Sequence, residues 1–114
     1  MHHNFKELKI WQNAMSIVRN TYKVCEELPQ SERFGLVSQI QRCAVSIPSN
    51  IAEGSGRTSE KEFAHFINIA ISSSYELETQ LLITKDLYST EIDQNLIEIQ
   101  ILQKMIHNFK KKLV

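Results

Sequence analysis

The chain is short of the residues that interrupt helices. Among its 114 residues are only three glycines and two prolines. No strand-period segment, internal repeat or low-complexity tract appears, which argues against sheet and solenoid folds. Cysteine is scarce too. Cys25 and Cys43 sit inside helical patterns, and with no secretory leader in MHHNFKELKIW they read as reduced core thiols of a cytoplasmic protein. No apolar run approaches the ~20 residues of a membrane span. The formal net charge is zero, with 13 basic and 13 acidic residues. That excludes a generically basic nucleic-acid binder and confines any such contact to a local patch.

What remains is hydrophobic periodicity. A single domain over residues 1–114 is long enough to fold without disulfides or metal. The spacing predicts a first helix from Phe5 to Leu28, capped at Asn4 and stopped by Pro29. Leu8, Trp11, Met15, Val18, Tyr22 and Cys25 form one stripe, and Ile10, Ala14, Ile17, Thr21, Val24 and Leu28 an adjacent one. A second helix is expected from an N-cap at Ser31, with Leu36, Ile40, Cys43, Ile47 and Ile51 inward and Gly54 and Gly56 ending it. Pro48 lies inside that apolar rhythm, so a kinked helix is expected rather than two helices. The third helix starts at Ser59, where Ser59-Glu60-Lys61-Glu62 matches a capping box. Phe63, Ile67, Ala70, Ser74, Leu77 and Leu81 carry its inner face, and its middle is made of small residues. The fourth begins at Thr90, with Ile92, Leu96, Ile99, Leu102, Ile106, Phe109 and Leu113 on one side and Ile97, Ile101 and Met105 on another.

Short loops between long helices give antiparallel neighbours. The expected fold is therefore all-α, an up-down-up-down antiparallel four-helix bundle with a kinked second helix. All four helices carry more apolar surface than one seam uses, so self-association is expected.

Chemistry is sparse. Glu62 and His65 have di-iron spacing, but Lys104 stands where a second Glu-x-x-His pair would need its carboxylate, before His107, so no metal or other cofactor is expected. Gly54-Ser55-Gly56-Arg57-Thr58-Ser59 lacks the features of a phosphate loop. No nucleophile–base set or carboxylate pair stands out, and the chain reads as a non-enzyme. Two basic features remain: the run Lys110, Lys111 and Lys112 with Lys104, and the pair Arg42 and Arg57. Each suits phosphate. Each also has a plain role, as a solvated tail at a helix C-terminus or as a structural network.

The segment AVSIPSNIAEG, with Gln39 and Arg42 before it and Arg57 after it, resembles the 23S rRNA intervening-sequence protein family of bacterial four-helix bundles. The resemblance extends to Leu8, Trp11, Ala14, Tyr22, Pro29, Glu32 and Leu36, then to Phe63, Phe66, Ala70, Ser73, Glu76 and Leu77. It is similar as well to the accessory variability protein of diversity-generating retroelements, a basic pentamer that works with a reverse transcriptase and RNA. The resemblance implies a homopentamer and an RNA- or DNA-binding accessory role, with a protein-docking scaffold as the alternative. The motif's polar residues Gln39, Arg42, Asn50, Glu53 and Arg57 are then either phosphate and base contacts or groups that hold subunits together.

Overall fold

The computed structural model describes residues 4–113. Four helices follow in order: α1 (Lys9–Cys25), α2 (Leu36–Ser55), α3 (Glu60–Tyr88) and α4 (Asp93–Lys111). Each packs on its neighbours in sequence, and α1 meets α4 to close the bundle. Cross-contacts run antiparallel throughout. Asn13 of α1 donates to the Met105 sulfur of α4, whereas Asn20, further along α1, reaches back to Glu98. Lys85 at the end of α3 pairs with Asp93 at the start of α4. The molecule is a rod of 45 × 24 × 20 Å. Its length is that of α3, whose 29 residues rise about 43 Å.

The broad apolar faces divide into two zones. Ile10, Ala14, Ile17, Thr21 and Val24 of α1 are buried, while Leu8, Trp11, Met15 and Val18 are only half-covered. Ile40, Ala44, Ile47 and Ile51 of α2 are fully buried, as are Ile67, Ala70, Ser74, Leu77 and Leu81 of α3 and Ile99, Leu102 and Ile106 of α4. The helix continues unbroken through Pro48, which is itself buried against the α1 side. Asn50 steadies the segment, donating from Nδ2 to the Ser46 carbonyl at 2.8 Å and to its hydroxyl at 2.9 Å.

α2 and α3 make the most extensive helix pair. Small residues allow it. The Cys43 thiol donates to the Ser73 carbonyl at 3.1 Å, so a side chain of one helix reaches the other's backbone. The Ser46 and Ser73 hydroxyls meet at 2.9 Å.

Several termini differ from expectation. α1 begins at Lys9, not Phe5, because Phe5–Glu7 winds as a 3-10 turn capped by Asn4, and Leu8 is extended. Its regular part ends at Cys25, and tighter turns carry the chain to Pro29. α2 begins at Leu36, not after Ser31, since residues 30–32 form a second 3-10 turn. There Glu32 supplies the cap, its carboxylate accepting from the Leu36 amide at 3.3 Å and from the Tyr88 hydroxyl of α3. Ser59 does cap α3, accepting from the Glu62 amide. α4 begins at Asp93, not Thr90. Thr90 is buried and its hydroxyl faces the Thr84 carbonyl, while the Glu91 carboxylate receives the Asp93 amide.

Gly54 does not end α2 but lies within it. A Cβ there would stand 2.8 Å from Phe63 Cδ1 and 2.8 Å from Phe66 Cβ. Gly56 is the C-cap. Gly54→Ala should therefore overpack the α2–α3 seam. The strain, about 1–3 kcal/mol, exceeds the gain of at most about 1 kcal/mol in helix propensity. Urea unfolding should show a lower midpoint than wild type. An unchanged or raised midpoint would mean that the seam can open without strain.

Candidate nucleic-acid interface

The antiparallel topology brings the start of α1, the end of α2, the start of α3 and the end of α4 to one end of the rod. Phe63 and Phe109, with ring centroids 5.4 Å apart, tie the last two together. Lys104 lies near mid-rod, next to Gln103, which donates to Glu78 of α3, whereas Arg57, Lys110, Lys111 and Lys112 belong to this end. Lys6, Lys9 and Lys61 join them there, against only Glu7, Glu53, Glu60 and Glu62. The opposite end reverses the balance. It carries Glu26, Glu27, Glu32, Asp86, Glu91 and Asp93 against Lys23, Arg33 and Lys85. A chain that is neutral in sum is thus polarised along its axis. Side chains produce this, because the dipoles of antiparallel helices cancel in pairs.

The basic residues are not equally available. Lys104, Lys111 and Lys112 are exposed and Lys110 half-buried. The Arg57 guanidinium donates to Glu53 at 2.7 Å and lies 4.6 Å from the centre of the Phe66 ring. Glu53 and Arg57 are therefore an internal pair at the end of α2. Asn50 is occupied with Ser46. The loop hydroxyls are also engaged: Ser55 donates to the Ala52 carbonyl, Thr58 to Glu62 at 3.4 Å, and Ser59 caps α3. Residues 56–59 form the turn between α2 and α3, and the hydroxyls in and beside it are bonded to those two helices.

Arg42 stands apart. It is 15 residues before Arg57, about 22 Å along the helix. It lines a polar cleft of about 350 Å³ on the α2–α3 face, with Gln39, Cys43, Ser46, Ser73, Glu76 and Gln80. Helical steps of three and four residues on both strands of the seam aim these groups the same way. Among the described residues no group of three His, Cys, Asp or Glu side chains could hold a metal ion. His107 is paired with the Tyr75 hydroxyl at 3.1 Å. No helix among them is long and apolar enough to cross a membrane.

The family model for the 23S rRNA-intervening sequence protein matches residues 6–108. The chain belongs to that family. A comparison with curated proteins gives no match. As a 23S rRNA-intervening sequence protein it has the helical architecture that the AVSIPSNIAEG segment implied, with that segment inside α2, its Ser46 meeting Ser73 and its Gly54 lying against Phe63 and Phe66 of α3.

Sequence reading found Lys110, Lys111 and Lys112 but not Lys6, Lys9 and Lys61, which only the topology places beside them. It found Gln39 and Arg42 without the α3 residues that complete their cleft. Ser73 and Glu76 were visible as motif positions; Gln80 carried no signal.

The two thiols are free and buried. Burial pushes Cys25 up from 9.0 to about 11. Burial, then the charge and hydrogen bond of Glu76, pushes Cys43 up to about 12. In the unfolded chain both ionise near pH 9.0, so the unfolded state sheds these protons first. Their contribution to stability is intact below that pH and declines as pH rises beyond it. The folded protein should thus react slowly with a disulfide reagent at pH 8 and rapidly in urea. Its urea midpoint should fall between pH 8 and 10, less steeply in Cys43→Ala. Fast native labelling of either thiol would contradict the assignment.

Proposed function

We propose that this protein is a non-enzymatic, homo-oligomeric accessory protein of the bacterial cytoplasm that binds RNA or DNA through the basic end of its bundle. The segregation of charge along the rod carries this reading. Lys111 and Lys112 are exposed there, with Lys104 exposed further along α4, and lysine ammonium groups suit phosphate without demanding a base sequence. A pentamer is the expected assembly. Tyr22, Val45, Leu82, Ile83, Ile97 and Ile101 are exposed apolar side chains along the helices, and a neighbouring copy would cover part of them. A docked protein partner is the second reading, and the same exposed groups favour it.

Fluorescence anisotropy with labelled single-stranded RNA separates the two. Binding should be on the order of 10⁻⁴ to 10⁻⁶ M at physiological salt, with a log-log salt slope of about −0.7 per phosphate contact. Replacing Lys110, Lys111 and Lys112 by Ala should flatten that slope while light scattering shows an unchanged oligomer. Absence of binding at low salt removes the nucleic-acid reading. A 13.2 kDa particle in light scattering removes the oligomer.

A further inference from the structure

The α2–α3 cleft holds three polar groups whose capacity the fold leaves open. Gln80 is only 8% exposed, and its Oε1 has no hydrogen-bond partner. A buried acceptor left unpaired is costly, which makes it a pointer to a ligand. Glu76, one turn before it on α3, receives only the Cys43 thiol, at 3.7 Å. Across the cleft Arg42 makes no ion pair or hydrogen bond among the described residues. Glu76 and Arg42 line one cavity without pairing, so the space between them is free for a third group.

The chemistry of that group follows from the lining. A carboxylate only accepts, and a guanidinium only donates. The ligand needs two adjacent donors on one edge, for Glu76, and acceptors on another, for Arg42. It needs a further donor for the Gln80 oxygen. Guanine has this arrangement. Its N1–H and one N2 hydrogen lie side by side for a carboxylate, the second N2 hydrogen is left for Gln80, and O6 with N7 takes an arginine fork. Adenine and cytosine set an acceptor beside their amino group, and uracil flanks its N–H with two carbonyls. The cleft volume of about 350 Å³ is within the range of small-ligand pockets.

We infer that this cleft is a guanine-base site, taking an unstacked guanine with its N1–N2 edge on Glu76 and Gln80 and its O6–N7 edge on Arg42. The inference rests on the nucleic-acid reading above and gives it a base preference. The lysine end would hold phosphates, and the cleft would read one base of the strand.

Titration of the full-length protein with guanosine 5′-monophosphate, followed by backbone amide NMR, tests it. Saturable shifts should centre on α2 and α3 around residues 39–46 and 73–80. Adenosine, cytidine and uridine 5′-monophosphates should bind roughly tenfold or more weakly, the scale of one good bidentate pair. Inosine 5′-monophosphate, which lacks the N2 amino group, should be weakened as well. Glu76→Gln keeps the shape of an exposed side chain but sets a donor against the N1–N2 donors of guanine, so guanosine 5′-monophosphate should fall roughly tenfold or more, toward the level of the other nucleotides. A purely structural role would not erase that preference. Equal binding of all four nucleotides, shifts confined to the lysine end, or a Glu76→Gln variant altered only in oligomer mass would each overturn the site. Labelled RNA distinguishes this failure from that of the reading it rests on. Salt-dependent binding equal for U-only and G-containing strands defeats the cleft and leaves the lysine end intact. Nucleotide binding without any RNA binding does the reverse.

Discussion

The close approach of α2 to α3 is the constraint on which the other features depend. It requires a missing side chain at Gly54, where any Cβ would meet Phe63 and Phe66, and small groups at Cys43, Ser46, Ser73 and Ser74. Packing on both sides also explains why a proline survives in the middle of a helix. Pro48 forfeits one backbone hydrogen bond, but Ile47 and Ile51 remain fully buried around it and α1 covers its ring. Helical stability here comes from the burial of an amphipathic face rather than from local propensity. Because α2 is clamped between α1 and α3, Gln39 and Arg42 are held facing the α3 positions that complete the cleft.

That dependence explains which parts of the fold could be read from the chain. The buried positions of all four helices follow a repeat that needs no knowledge of neighbours, and Ser59 caps α3 through a bond three residues long. The ends that differ are those where a residue other than the expected cap takes the bond or a 3-10 turn intervenes. Glu32, not Ser31, opens α2, and it is also the acceptor of Tyr88 from the far end of α3. Thr90 has the look of a cap, yet its hydroxyl turns back to Thr84. Gly54 resembles a terminator because its true reason lies across the turn, in two phenylalanines of the next helix. Tyr88 and the phenylalanines lie beyond a local window, whereas Leu36 and Thr84 lie within one, where the pattern leaves open which polar side chain takes the bond. The candidate site divides the same way: Lys110, Lys111 and Lys112 are adjacent in sequence, whereas Lys6, Lys9 and Lys61 reach them only through antiparallel packing.

Net charge is a poor descriptor of such a rod. At physiological ionic strength fields decay over about 8 Å, against a length of 45 Å. A phosphate at one end is therefore screened from the carboxylates at the other. Zero total charge and a cationic end are compatible, and the sum over the chain hides the segregation.

The placement of apolar surface fixes what assembly would do to that cationic end. Val45, Leu82, Ile97 and Ile101 are exposed on the sides of the rod. Copies that covered them would lie side by side. If the copies are related by a rotation axis running along the bundle, every basic end falls on the same face, since rotation about that axis cannot invert the rod. A two-fold axis across the rod would instead put half of the basic ends on each side, beside acidic ends. The cyclic arrangement is the one in which a modest lysine cluster becomes a continuous cationic face, multiplied by the number of subunits. Closed symmetry and axial polarity together would thus let a neutral chain present a charged surface, with each α2–α3 cleft repeated around its flank.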